Sequence, residues 1–256
     1  MLSTQPRIAI VGTRAPSPYG DAQARRFALA FAERGVCIVS GLARGIDQAA
    51  HRAALDAGGA TIAVLGSGVD RPWPTGALTD EIAARGLLVS EFQPGEGPRP
   101  HHFPLRNRVI SGLCTGVLVI EAAHASGSLI TAHWAADQGR SVWALPGRVD
   151  QPMARGTHRL IREGAQLVES PDEILAEILP GSPSLRPDGT PAAPRTTALS
   201  PAAARILESL RGETFSADEI ATRLELDARE VLVALVELEI GDSIVRAPGG
   251  LYRRTT

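Results

Sequence analysis

From Arg7 to about Val168, seven short β-rich runs (RIAIV, VCIVS, ATIAVL, GLLVSE, GVLVIEA, SVWALP and AQLVE) alternate with stretches of helical length. Such alternation builds βαβ units, whose crossovers make the strands parallel and place helices on both faces of the sheet. The runs are apolar almost throughout rather than at every second residue, as strands covered on both sides must be. The expected fold class is α/β: a Rossmann-like, doubly wound, mostly parallel sheet.

The composition changes after that region. Residues 180–198, PGSPSLRPDGTPAAPRTTA, are rich in Pro, Gly, Ser and Thr without an apolar period, so a flexible linker is expected there. Residues 1–179 then form the Rossmann-like domain and residues 199–256 a small second one. In the latter, SPAAARILESL, SADEIATRL and DAREVLVALVELE read as three helices, the first two capped by Ser200 and Ser216. DSIVRAPGGLYRR reads as a β-hairpin around Pro248-Gly249-Gly250, and three helices with a hairpin make a winged helix. Residues 199–256 hold seven Arg against ten Asp and Glu, and the third helix sets Asp227, Glu230, Glu237 and Glu239 against Arg229 alone. Duplex binding draws on cations at phosphates, so this domain is expected to contact protein or to serve the fold.

The chain has 256 residues, a single asparagine (Asn107) and no lysine, all 26 Lys-plus-Arg positions being arginine. Without lysine there is no Walker-type phosphate loop, no Schiff base and no lysine general base. Cys37 and Cys114 lie in or beside apolar runs and are read as small buried hydrophobes rather than a disulfide or metal ligands. No apolar run reaches the roughly 18 residues that cross a bilayer, and the N-terminus has no secretory pattern, so a cytoplasmic protein without membrane contact is expected.

Ligands of parallel sheets bind beyond the carboxyl ends of the strands. After the first run comes Gly12-Thr13-Arg14, where Gly12 permits a tight turn and Arg14 offers a fork of donors, but GxGxxG is not matched. Ser40-Gly41-Leu42-Ala43-Arg44-Gly45-Ile46-Asp47 follows the second run, either as an anion cradle or as an ordinary turn; it lacks the acid a NAD ribose needs. Asp47 and His51, one helical turn apart, are expected to hydrogen-bond each other. Gly66-Ser67-Gly68-Val69-Asp70 is a generic loop, with Trp73 as its anchor. After the fifth run, Glu121 and His124 offer a hydrolytic pair lacking a nucleophile elbow, and Ser126-Gly127-Ser128 a second anion cradle.

The strongest local signal is RPHHFPLRNR, Arg99 to Arg108, with three arginines, two histidines and no acid. Elsewhere charges nearly cancel, residues 1–180 holding 17 Arg and 17 acids. Cations interleaved with an aromatic hold single-stranded nucleic acid, arginine on phosphate and a ring under a base. On this segment alone, Phe103 as a core residue with arginines capping carbonyls stands beside that reading. No carboxylate or cysteine lies at ligand spacing from His101 and His102, so no metal is expected.

Taken in order, GTR, SGLARGID with AH, GSGVD, SE before FPLRNR, IEA with SGSLITA, and ALPG resemble the DprA/Smf family over Ile8 to Ala165. The resemblance implies a Rossmann-like core that binds single-stranded DNA with little sequence preference, forms a homodimer and loads the RecA recombinase during natural transformation, without catalysis or a cofactor. It places Arg14, Gly41, Gly45, Arg106, Arg108, Ser126, Gly127 and Ser128 on phosphates and Phe103 under a base. Asn107 would bond a base or the neighbouring loop, and His158, Ile161 and Leu167 would form the dimer contact. Many members carry an N-terminal helical domain not seen here, so Met1 is expected to mark a truncated or shortened member. Two alternatives remain: a nucleoside phosphoribohydrolase-like Rossmann enzyme, whose PGGxGT motif is missing, and a winged-helix regulator of duplex DNA.

Overall fold

The computed structural model of the protein describes residues 5–179, 200–210, 214–240, 243–247 and 250–254. The chain divides into two compact units, residues 1–192 and 193–256. The expected linker, residues 180–198, and the hairpin turn residues Pro248 and Gly249 lie outside the described residues.

The first unit contains β1 (Arg7–Val11), α1 (Pro18–Glu33), β2 (Cys37–Ser40), α2 (Ile46–Asp56), β3 (Thr61–Val64), α3 (Ala77–Arg85), β4 (Leu87–Val89), α4 (His102–Gly112), β5 (Gly116–Val119), α5 (Ser128–Asp137), β6 (Ser141–Ala144), α6 (Arg155–Arg162), β7 (Gln166–Leu167) and α7 (Pro171–Ile178). Each expected run is a strand, and together they form one parallel sheet of order β4-β3-β2-β1-β5-β6-β7. Alternation along β1 divides the core: Ile8 and Ile10 join the layer of α1, α2 and α7, whereas Ala9 and Val11 join the layer of α4 and α5. Both faces are therefore apolar, which is why the runs show no period of two. Cys37 and Cys114 are buried free thiols, and burial pushes Cys37 up to about 11.

Helix starts follow the local sequence. Ser17 accepts from Gly20 N–H with Pro18 in the first turn, and Ser170 with Glu173 closes a capping box before α7. The strand order reverses between β1 and β5, so the loops leaving these strands splay apart and open a crevice at their carboxyl ends.

The second unit is the expected winged helix: α8 (Pro201–Ser209), β8 (Phe215–Ser216), α9 (Ala217–Leu224), α10 (Ala228–Ile240), β9 (Ile244–Ala247) and β10 (Leu251–Arg254), with an antiparallel sheet of order β8-β10-β9. Ser200 and Ser216 cap α8 and α9 as their positions suggested. Ala203, Ile206, Ile220, Val231, Leu235 and Leu238 form its core.

Candidate nucleic-acid interface

The crevice between β1 and β5 holds a cleft of about 400 Å3. Arg14 enters it from the β1–α1 loop, Phe103, Arg106 and Asn107 from α4, and Ser126, Gly127 and Ser128 from the start of α5. Helical phase explains the α4 contribution: residues 103, 106, 107 and 110 recur at i, i+3, i+4 and i+7 and so share one face. Arg108, expected beside them on phosphate, falls on the other side of the helix. It pairs with Glu91 at 2.7 Å and does not line the cleft.

Arg106 is the floor of the cleft and is only 5% exposed. Its Nη1 donates to the Gly41 carbonyl at 2.7 Å and also to the Val64 carbonyl, tying α4 to the ends of β2 and β3. Its Nε is buried and has no hydrogen-bond partner among the described residues. Burial lowers its pKa to about 10, opposed by Asp47 and assisted by Arg14, so the guanidinium stays charged at neutral pH. Asp47 is the acid of this cleft, itself buried, with its pKa raised by desolvation against the pull of Arg106. Two guanidinium groups and one carboxylate thus line the cleft, leaving an excess positive charge that an anion would neutralise.

The Phe103 ring is half-buried, with the guanidinium carbons of Arg14 and Arg106 each 5.9 Å from its centroid. That is within cation–π reach, so the ring and both cations form one surface. Opposite it, the Ser126 and Ser128 hydroxyls bond each other at 2.7 Å, and the Asn107 amide donates to the Gly127 carbonyl at 3.2 Å. Asn107 therefore joins α4 to the α5 entry, the loop alternative among its expected roles.

Gly41 and Gly45, expected as an anion cradle, stand behind the cleft instead. The Gly41 N–H is donated to Asp47 at 3.1 Å, and a Cβ there would lie 2.2 Å from Arg106 Nη1. Gly45 has φ +85 and ψ −127, and a Cβ would lie 2.4 Å from the Thr13 carbonyl oxygen, so it lets α2 close against the β1–α1 loop. Between them Leu42, fully buried, adopts φ +60, a costly conformation for a branched side chain that its packing against Leu55, Leu65 and Ile82 sustains.

Two pairings that the spacing offers are not formed. Asp47 does not bond His51; it takes the Gly41 N–H, while His51 Nδ1 meets Thr61 Oγ1 at 2.7 Å. Glu121 does not act with His124. Its carboxylate accepts from Ser17 N–H at 2.9 Å and Ser17 Oγ at 2.5 Å, pinning the loop that carries Arg14 to the end of β5. His124 is exposed, and Trp73, expected as a loop anchor, is 51% exposed and does not line the cleft. The lining residues Pro100, Pro104 and Thr131 were not singled out from the sequence; the helical phase of 103–110 would have pointed to Pro104's neighbourhood but not to α5.

A larger cavity of about 570 Å3 is lined by Tyr19, Ile120, Leu145, Pro146, Arg148 and others, mostly apolar. Its cation Arg148 is held bidentately by Asp150, so it does not offer a polyanion the free charge of the first cleft. Of the expected dimer residues, His158 and Ile161 stand three residues apart on α6, where His158 Nε2 lies 3.0 Å from the Gly147 carbonyl oxygen and Ile161 packs on the core, and Leu167 is 43% exposed on edge strand β7.

His51 yields a pH prediction. Thr61 Oγ1 donates to Ile38 O, so the ring Nδ1 is the donor to Thr61 and Nε2 is bare, with no partner among the described residues. Burial, then the Arg106 charge, lowers the ring pKa to about 3. An unfolded histidine titrates near 6.5, so between 6.5 and about 3 the unfolded chain binds a proton that the native chain refuses. This contribution is complete above that window and is lost as pH falls, by up to about 1.4 kcal/mol per unit. Asp47, with its raised pKa, works in the opposite direction. His51→Leu is expected to flatten the acid side of stability measured by urea unfolding from pH 6.5 to 5; an unchanged slope would mean that the native ring protonates.

Residues 1–179 match the family model for DNA recombination-mediator protein A, and residues 190–250 that for the DprA winged helix domain. The chain is 43% identical over 257 residues to Protein Smf of Escherichia coli, covering 96% of this chain and 67% of that protein. It is 49% identical over 174 residues to DNA processing protein DprA of Streptococcus pneumoniae, covering 67% and 61%. Among solved structures, the X-ray structure of DprA from Streptococcus pneumoniae matches with TM-score 0.64 and 46% identity, covering 69% of this chain and 63% of that one. A structure of DNA processing protein A from Helicobacter pylori, described for its single-stranded DNA binding mode, matches with TM-score 0.64 and 32% identity, covering 70% and 82%. The chain thus spans 61% to 67% of the length of those two curated relatives.

Proposed function

The chain belongs to the DNA recombination-mediator protein A family, and from that premise we propose that it binds single-stranded DNA with little sequence preference in the Arg14–Phe103–Arg106 cleft. The carrying observation is the half-buried Phe103 ring flanked by two guanidinium groups. A base stacks on a ring whatever its identity, and cations beside the ring meet the backbone, so affinity arises without reading sequence. The serines at the α5 entry supply hydroxyls to a neighbouring phosphate.

The same reading makes the protein a cytoplasmic mediator rather than an enzyme. It works without a cofactor, as a homodimer through the surface near His158, Ile161 and Leu167, and passes the strand to RecA in natural transformation. Family membership supports that role. Dimerisation places two clefts on one strand, so modest local charge suffices for tight binding.

Fluorescence anisotropy of labelled oligothymidine and matched duplex, across a salt series, tests the cleft. Wild type is expected to prefer the single strand, with affinity falling as salt rises. Phe103→Ala should weaken binding by about 1–3 kcal/mol, the usual contribution of a stacked base. Arg14→Ala, at an exposed position, should weaken binding and reduce the salt slope while leaving the melting temperature nearly unchanged. Binding to duplex alone, or variants that bind like wild type, would remove the cleft from consideration.

A further inference from the structure

The winged helix exposes a helix face that its own fold does not use. On α10, Val231, Ala234, Leu235 and Leu238 recur at i, i+3, i+4 and i+7 and are buried in the core of the second unit. On the other side Leu232, Val233 and Val236 are 54%, 65% and 53% exposed. At about 100° per residue, Val233 and Val236 lie almost opposite Leu238, with Leu232 beside them. Glu230 borders this stripe on one side and Glu239 on the other; Glu237, on the Glu230 side, accepts the Ser200 N–H at 2.8 Å. A helix apolar on both faces is normally covered on both, and in α10 the second face is open.

Charge selects what covers it. A DNA groove would bring phosphates against Glu230, Glu237 and Glu239; the one cation of this helix, Arg229, stands at the N-terminal end of the stripe, one turn before Val233. A second copy of the same face would set the same carboxylates against one another across a two-fold axis. An amphipathic helix with its apolar stripe bordered by Lys or Arg satisfies both features: valine and leucine are buried at the centre and the carboxylates are paired at the rim. We propose that the outward face of α10 is a docking surface for a basic amphipathic helix of a partner protein. In this family member the position that a duplex-reading winged helix gives to its recognition helix is thus used for protein contact.

The test uses the full chain and a fluorescein-labelled leucine–lysine amphipathic peptide of about five helical turns, with a scrambled peptide of the same composition as the control. Wild type is expected to bind the patterned peptide and not the scramble. Val233→Glu with Val236→Glu should weaken that binding by about tenfold per valine, the decade in affinity that burying one such side chain supplies. Both positions are exposed, so the melting temperature should hold. Glu230→Arg with Glu239→Arg should switch preference to a leucine–glutamate peptide and keeps the proposal testable if the valine variant misfolds. Equal binding of the scramble, no loss in the valine variant, a wild-type dimer that the valine variant dissolves in sedimentation, or displacement of the peptide by duplex DNA would each overturn it. Oligothymidine binding is read separately, so failure here leaves the cleft assignment standing.

Discussion

Arg106→Ala is expected to cost about 3–5 kcal/mol of stability and to abolish single-strand binding. The buried guanidinium donates to the Gly41 and Val64 carbonyls, and its charge offsets the desolvation of Asp47. Each buried acceptor stripped of its donor costs about 1–3 kcal/mol, and the truncated side chain leaves a void as well. Against a total stability of typically 5–15 kcal/mol, such a loss brings the domain near unfolding at moderate temperature. Loss of DNA binding in this variant alone therefore says little about contact with DNA, which is why exposed Arg14 is the cleaner probe. A double-mutant cycle separates the parts. Adding Asp47→Asn to Arg106→Ala removes the carboxylate left without the charge of Arg106, so the pair should lose less stability in urea titration than the sum of the single changes. Binding should stay lost. Strict additivity would mean that the Asp47 charge owes nothing to Arg106.

Gly45→Ala is the second large effect, expected at about 3 kcal/mol or more together with weakened DNA binding. The conformation φ +85, ψ −127 is one that only glycine adopts readily, at a strain of about 1–3 kcal/mol for other residues. The added methyl also meets the Thr13 carbonyl oxygen at 2.4 Å and the Arg14 carbonyl carbon at 2.8 Å. Both are backbone atoms that cannot swing aside, and overpacking of this kind adds about 1–3 kcal/mol. Relief requires the β1–α1 loop to move, and Arg14 moves with it. Gly58→Ala is the matched control: φ is +68 but a Cβ there meets nothing within 4 Å, so about 1 kcal/mol and unchanged DNA affinity are expected. Equal losses of affinity in the two variants would show that the Thr13–Gly45 contact does not position Arg14.

The strands were legible because a doubly covered parallel strand is apolar at every position, a signal carried by the strand's own residues. Helix caps were equally local: Ser200 and Ser216 bond backbone groups three residues on. Phe103 and Arg106 were found by composition alone, since cations around an aromatic are unusual in a domain of balanced charge. Arg108 was put on phosphate by the family resemblance; in the structure the helix turns it away from Arg106 and toward Glu91, outside the cleft lining. Asp47 and His51 were paired by spacing, yet each found a closer partner from outside its helix, Gly41 and Thr61.

The sequence by itself determined the α/β class, the seven-stranded order of runs, the winged helix and the segment that carries the cleft's ring and its buried cation, because hydrophobic period, capping and local charge are read over a few neighbouring residues. Tertiary structure alone decided which groups are free to meet a ligand. Gly41 is occupied by Asp47 and Arg106, Glu121 is held by Ser17 across 104 residues of chain, and Val233 and Val236 of α10 are exposed although their sequence looks like core. Those outcomes depend on which donors and apolar faces the fold brings together from distant positions, and no local pattern records that.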